Sequence, residues 1–340
     1  MPEPITAQIL LPDGTPMVFC RIPAGRFRMG SRGAFTREEP AVEVRIPYAL
    51  WIGQTPMMQQ QFAVWTRACG IEHSNHFGSL PESPRHPAEN LDWRQANRFC
   101  HWLGTQVRLS DAMAEDGVSL FCLPTEAEWE YACRAGTTTE YHTGDGEEAL
   151  AEAGWYDGYA GGSTRAVGLK HPNAWGLHDA HGNVCEWCHD VWDRGAYRDR
   201  PDGCEDPGRE ARESDWAAGL GPWVDADPDR VFRGGSWFYS ARWCRSADRD
   251  GWRPDGRDGI LGFRVCLVRG PADLEADRET DRGTAGAGKP QTRDGSEAHG
   301  TGRPERNLDL ASEGFSRGAG SKFFGEPEDP GSSPKPMSPR

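Results

Sequence analysis

Two short stretches of this chain concentrate the residue types that do chemistry. In His178-Asp-Ala-His181-Gly-Asn-Val-Cys185-Glu-Trp-Cys188-His189, five soft or borderline metal donors fall within twelve residues. Cys185-x-x-Cys188 has a metal-ligand spacing and would suit zinc or copper(I). No second Cys-x-x-Cys matches it, so buried structural thiols are the competing reading. The other stretch, Arg230 to Cys266, holds one internal cysteine, Cys244, among Trp237, Phe238, Tyr239, Trp243 and Trp252 and the arginines 242, 245, 249, 253 and 257. Rings and forked donors carry binding energy at recognition surfaces, and they also pack in cores with arginine over the ring. A third pair, His73-x-x-His76, has a one-turn helical spacing but lies in a Ser/Asn/Gly/Pro-rich loop, where exposed histidines are the expectation.

The chain that must position these residues has 340 of them, enough for one large domain. Acids outnumber bases 52 to 38, a formal charge of −14, which argues against nucleic acid as a partner. No basic-plus-apolar leader and no long apolar run are read, so no membrane partner and a cytoplasmic location are expected. Ten cysteines without an export signal read as free buried thiols. Fourteen tryptophans with 42 glycines suggest a loop-built globule filled by large rings. Residues 5–269 form the expected domain. Residues 270–340, poor in apolar residues, are expected to be a disordered tail, and residues 201–228 a long acidic surface loop.

Three helices are predicted. One opens at Thr55-Pro56, ends at Gly70 and turns Met58, Phe62, Trp65 and Cys69 to one side. A second is capped by Asp92 and ends at Gly104, and a third opens on the capping box Thr125-Glu-Ala-Glu128. Strands are predicted at 42–46, 231–233 and 263–268.

An ordered series of motifs is then legible: Ile22-Pro-Ala-Gly-Arg-Phe-Arg-Met-Gly-Ser31, Leu123-Pro-Thr-Glu-Ala-Glu-Trp-Glu-Tyr-Ala132, Asn173-Ala-Trp-Gly-Leu177, Gly182-Asn-Val-Cys-Glu-Trp187, Arg233-Gly-Gly-Ser-Trp237 and Gly262-Phe-Arg-Val265. It resembles the formylglycine-generating enzyme, or sulfatase-modifying factor, family. The resemblance implies a single α+β domain of irregular C-type-lectin-like fold, low in regular secondary structure. Family enzymes oxidise a client cysteine with copper(I) held by two thiolates five residues apart. Here the second matches Cys244, the family serine matches Ser236, and the first thiolate position is Tyr239. A phenol does not replace a thiolate on a soft cation, so copper is not expected. The resemblance also implies a structural calcium site from the Asp179 side chain, the Gly182 and Val184 carbonyls and the Glu186 carboxylate. The competing reading pairs Glu186 with an arginine.

The same segment is similar to the variable proteins of diversity-generating retroelements, which hold a scaffold constant and vary surface residues to bind ligands. Scaffold positions would be Gly234, Gly235, Cys244, Arg245 and Ala247; free ones Phe238, Tyr239, Ser240, Trp243, Asp248, Asp250, Gly251, Trp252, Gly256 and Asp258. The expectation is a ligand- or protein-binding module that has lost the copper oxidase, meeting an unidentified protein or small ligand at loop 237–258 through Phe238, Tyr239, Ser240, Trp243, Asp248, Asp250, Trp252, Arg253 and Asp258. The alternative is a formylglycine-generating oxidase or a related metal-dependent oxygenase acting through Cys244 and Ser236. Within the loop, Trp237 and Phe263 are expected to be core, and Trp243 and Trp252 exposed.

Overall fold

A computed structural model describes residues 3–76, 83–206, 208 and 228–270. The expected tail, and most of the acidic stretch 201–228, lie outside the described residues. Regular structure is sparse and mixed, as an α+β reading requires. β1 (Thr6–Leu10), β2 (Pro16–Ile22), β3 (Gly25–Met29), β4 (Val42–Ile46) and β5 (Leu50–Gly53) precede α1 (Gln59–Cys69), α2 (Trp93–Gln106) and α3 (Asp111–Glu115). Then come β6 (Leu120–Cys122), α4 (Glu126–Arg134), α5 (Gly146–Ala153), β7 (Cys185–Val191), β8 (Cys204–Glu205), β9 (Arg230–Arg233), β10 (Arg249–Trp252), β11 (Leu261–Gly262) and β12 (Cys266–Val268).

Among the described residues three sheets form, ordered β1-β2-β5-β12-β6, β10-β9-β7-β11 and β3-β4-β8. β12 pairs antiparallel with both β5 and β6, so the last described strand lies inside the five-stranded sheet. Of the predicted strand 263–268 only β12, Cys266–Val268, is strand, because Phe263, Arg264 and Val265 carry the chain from β11 in one sheet to β12 in another.

Two of the predicted helix starts hold to the residue. Asp92 accepts from the backbone N–H of Gln95, Thr125 from that of Glu128, and each N3 side chain bonds back to its cap. The α1 start differs: Met58 rather than Thr55 is the cap residue, with Gln61 accepting from its backbone N–H. α2 runs past Gly104 to Gln106, and Cys69, expected inward, is exposed. All ten cysteines are free and most are buried. The main core gathers Trp51, Phe62, Trp65, Trp93, Phe99, Trp187 and Phe263, filling with rings the space that long helices do not fill. Among the described residues no helix is long and apolar enough to cross a membrane.

Buried ion pairs join the elements. Arg249 forks onto Glu126 of α4 at 2.5 and 2.9 Å, and Arg233 reaches Glu130 and Glu126 on the same helix. Arg245 forks onto Glu38 at 2.9 and 2.7 Å. Burial alone would raise the Glu126 carboxyl, but Arg249 and Arg233 hold it at about 2, below its ordinary 4.5. The folded value is the depressed one, so this stability is present above pH 4.5 and is lost as pH falls through about 2. Urea melts between pH 5 and 2 should show a fall, about 3 kcal/mol of it due to this carboxyl, and Glu126→Gln should flatten that slope. An unchanged slope in the variant would assign the loss to other acids.

Candidate functional site

Two glycine turns are hydrogen-bonded to one another. Gly234 and Gly235 both adopt positive φ, 98° and 69°. A Cβ on Gly235 would meet the Cys244 Sγ at 2.5 Å and the Trp243 carbonyl at 2.7 Å, so only glycine lets the two segments close. The opposite turn, Gly182-Asn183, also has positive φ at both residues. Gly182 donates to the Gly234 carbonyl at 2.7 Å, and Trp237 donates to that of Asn183 at 2.9 Å. The Asn183 amide clamps Arg165 by accepting from its N–H and donating to its carbonyl, both at 3.0 Å. Together these bonds fix the floor on which loop 236–258 rests.

The thiol chemistry of this floor is muted. Cys244 is fully buried, and burial, aided by Asp248, pushes its thiol far above the ordinary range. Ser236 is also fully buried, its Oγ accepting from Phe238 N–H at 3.3 Å. Tyr239, where the sequence resemblance implies the first thiolate position, is 5 % exposed and packs in the main core with Cys185 and Trp243. Cys185 and Cys188 fall three apart on a strand, so they point to opposite faces. Cys185 joins the main core and Cys188 a separate cluster with Trp129 and Val231, and burial raises both thiols. The Cys-x-x-Cys spacing therefore does not make a chelate. Among the described residues no three His, Cys, Asp or Glu side chains group as a metal site. His73 bonds Asn75 and packs edge-on against Phe62, and His76 lies against Gly259.

The oxygen positions differ from the thiols. Asp179 is buried with positive φ, 55°. Its Oδ2 accepts from Gly168 N–H at 2.7 Å, while Oδ1 is buried with no hydrogen-bond partner, and burial raises the carboxyl. Glu186 has the arginine that the competing reading required: Arg264 forks onto it at 2.5 and 2.6 Å, and Trp129 Nε1 donates to Oε2 at 2.7 Å. Three donors on a carboxylate with about four lone-pair sites leave Oε1 one site. A hard cation could thus be met by Asp179 Oδ1 and by the one remaining site on Glu186 Oε1.

Loop 237–258 divides into a buried base and an exposed crest. Phe238 is 40 % exposed, Arg253 is exposed, and Trp237, Ser240, Asp250, Trp252 and Asp258 are half-buried. Three expected surface contacts are instead interior. Trp243 is 4 % exposed and stacks on Phe35, centroids 4.9 Å apart and planes 3° from parallel. Asp248 is buried and accepts from Arg37 at 2.7 Å. Tyr239 is buried as described above. Trp237 departs the other way: it is half-buried at the core's edge, with Nε1 donating to the Gly259 carbonyl. Phe35, Arg37 and Glu38 were not anticipated, because they lie some two hundred residues away in sequence and carry no local signal.

Comparison with known proteins gives a consistent relation. A model described as the sulfatase-modifying factor enzyme 1-like domain matches residues 12–269. The formylglycine-generating enzyme of Streptomyces coelicolor is 31% identical over 201 residues, 54% of this chain and 53% of that protein. The serine/threonine-protein kinase pkn1 of Chlamydia pneumoniae is 25% identical over 283 residues, 78% of this chain and 38% of that protein. The chain thus spans about half or less of the length of these curated relatives. Among solved structures, Treponema denticola variable protein 1 matches with a TM-score of 0.61 and 27% identity, over 78% of this chain and 99% of that one. PvdO from Pseudomonas aeruginosa shares the fold at a TM-score of 0.59 and 22% identity, over 79% of this chain and all of that one.

The division of the loop is measurable. Trp243→Ala should cost roughly 3–5 kcal/mol in urea melts, as a large core truncation, and Phe238→Ala within about 0.5 kcal/mol. Equal costs would mean that base and crest are not distinct.

Proposed function

The chain belongs to the sulfatase-modifying factor family, and from that premise we propose that it is a ligand- or protein-binding module built on the family scaffold, not a copper oxidase. One observation supports the reading: Tyr239, at the position the resemblance implies for the first thiolate, is a buried phenol, and the Cys244 thiol is buried with burial raising it well above its ordinary range. Linear copper(I) coordination needs two soft anionic donors, and one neutral thiol beside a tyrosine is a poor substitute. The binding surface is the crest of the loop, Phe238, Trp237, Trp252, Arg253 and Asp258, held by a rigid base. Such an arrangement suits the retroelement-type use of the fold, in which crest residues change while the base stays. The likeness to Treponema denticola variable protein 1 supports it. The alternative, an oxidase or a related oxygenase acting through Cys244 and Ser236, would need that thiol deprotonated and exposed.

The purified protein should bind copper(I) weakly and leave a cysteine-containing sulfatase peptide unoxidised, read by mass spectrometry of the peptide. Tyr239→Cys should raise copper(I) affinity about tenfold or more in a chelator competition, because a second thiolate completes the pair. Peptide aldehyde formed by the unaltered protein and lost in Cys244→Ala would overturn the binding reading.

Calcium is proposed as a structural ion at Asp179, with Gly182, Val184 and the open site of Glu186 completing a hard-oxygen set. When bound, it supplies charge compensation for a buried carboxylate. At a hundredfold excess over its dissociation constant it should stabilise by about 2.7 kcal/mol, seen as a raised Tm against chelator. Asp179→Asn should remove most of that shift. A melting curve indifferent to calcium and chelator would sink the site.

A further inference from the structure

A small cleft opens where the start of β2, the chain just after β5 and the start of α1 meet. Its volume is about 160 Å³. An engineered core cavity of about 150 Å³ takes one benzene, so the room here is that of a single ring. Three of the chain's seven methionines, Met17, Met57 and Met58, line it together with Val18, Val167 and Val265. Thioethers adapt to irregular shapes and favour the edges of aromatic rings. The walls are already set by bonds between segments. Gln54 N–H donates to the Val18 carbonyl at 2.9 Å and Met57 N–H to that of Phe263 at 2.8 Å. The Gln61 side chain donates to the Pro16 carbonyl at 2.8 Å. A ligand entering such a cleft orders little that is not ordered already, which keeps the cost of binding low.

Arg85 is the one charged residue among the described residues that line the cleft. It is exposed, and its guanidinium donates to the Val167 carbonyl at 3.2 Å, which orients the fork. Among the described residues no carboxylate pairs with it, although acids outnumber bases 52 to 38 in this chain. No acid lines the cleft to repel an anion. We propose that the cleft binds a small aromatic carboxylate, its ring among the three methionines and its carboxylate on the Arg85 fork. The planar guanidinium matches a carboxylate in two parallel bonds. A ring without charge would leave the fork unused, and a carboxylate without a ring would leave the thioethers wet. None of the lining residues belongs to loop 237–258, so the site stands whether or not the crest meets a partner.

The test uses the full chain and three probes at matched ionic strength. Benzoate carries both features, benzyl alcohol keeps the ring and loses the charge, and acetate keeps the charge and loses the ring. Titrations followed by saturation-transfer NMR read the binding. Benzoate should bind with a Kd on the order of 1 mM, about tenfold or more tighter than either of the others. Arg85→Gln, an exposed change, should weaken benzoate about tenfold and leave benzyl alcohol unchanged. Val18→Phe places a ring of the protein's own in the cleft. It should melt within a few degrees of the unaltered protein and lose benzoate. The proposal is overturned if benzoate does not bind, if acetate or benzyl alcohol binds as tightly, or if either variant keeps full affinity for benzoate.

Discussion

The irregular half of this molecule is held in place by guanidinium–carboxylate pairs sealed from water. Glu126 and Glu130 on α4 take Arg249 and Arg233 from β10 and β9, Glu186 on β7 takes Arg264, and Glu38 takes Arg245. Each joins a segment of the C-terminal third to an earlier part of the chain. Their net stabilisation is small, because desolvating both ions offsets most of the attraction. Removing one partner costs far more, since it strands a charge in the interior. The pairs therefore act as keys. A loop that docks one position off places a charge against apolar packing, and only one docking satisfies all four.

The loop keyed in this way has a buried base and a more exposed crest. Tyr239, Trp243 and Asp248 belong to the base by burial, although their side chains are as polar or as ring-rich as those above them. Phe238 and Arg253 stand outside it. Phe238 and Arg253 are exposed, so their replacement disturbs little of the fold, whereas Trp237 and Trp252 pack against the main core.

The local signals that sequence carries well were read well. Asp92 with Gln95 and Thr125 with Glu128 announce helix starts, because a cap is settled within four residues. The ordered glycine and tryptophan motifs announced the fold. What escaped depends on distant partners. Trp243 lies among arginines and serines and reads as surface; it is core because Phe35 stacks on it. Asp248 reads as solvated; it is paired by Arg37. Cys185 and Cys188 have a chelating interval on a helix or turn but not on a strand, and the strand is set by pairing with β9 and β11. The burial of Tyr239 and Cys244 was not legible, because it is set by partners outside the loop.

The place of β12 has a consequence for biogenesis. Residues 266–268 fill the gap between β5, formed from residues 50–53, and β6, from residues 120–122. During synthesis both neighbours emerge from the ribosome long before their common partner does. For that interval each presents an unpaired edge of backbone donors and acceptors, the kind of edge that recruits other chains. Closure of the largest sheet waits for nearly the whole domain to be made, so the nascent chain spends most of its synthesis with its central sheet open.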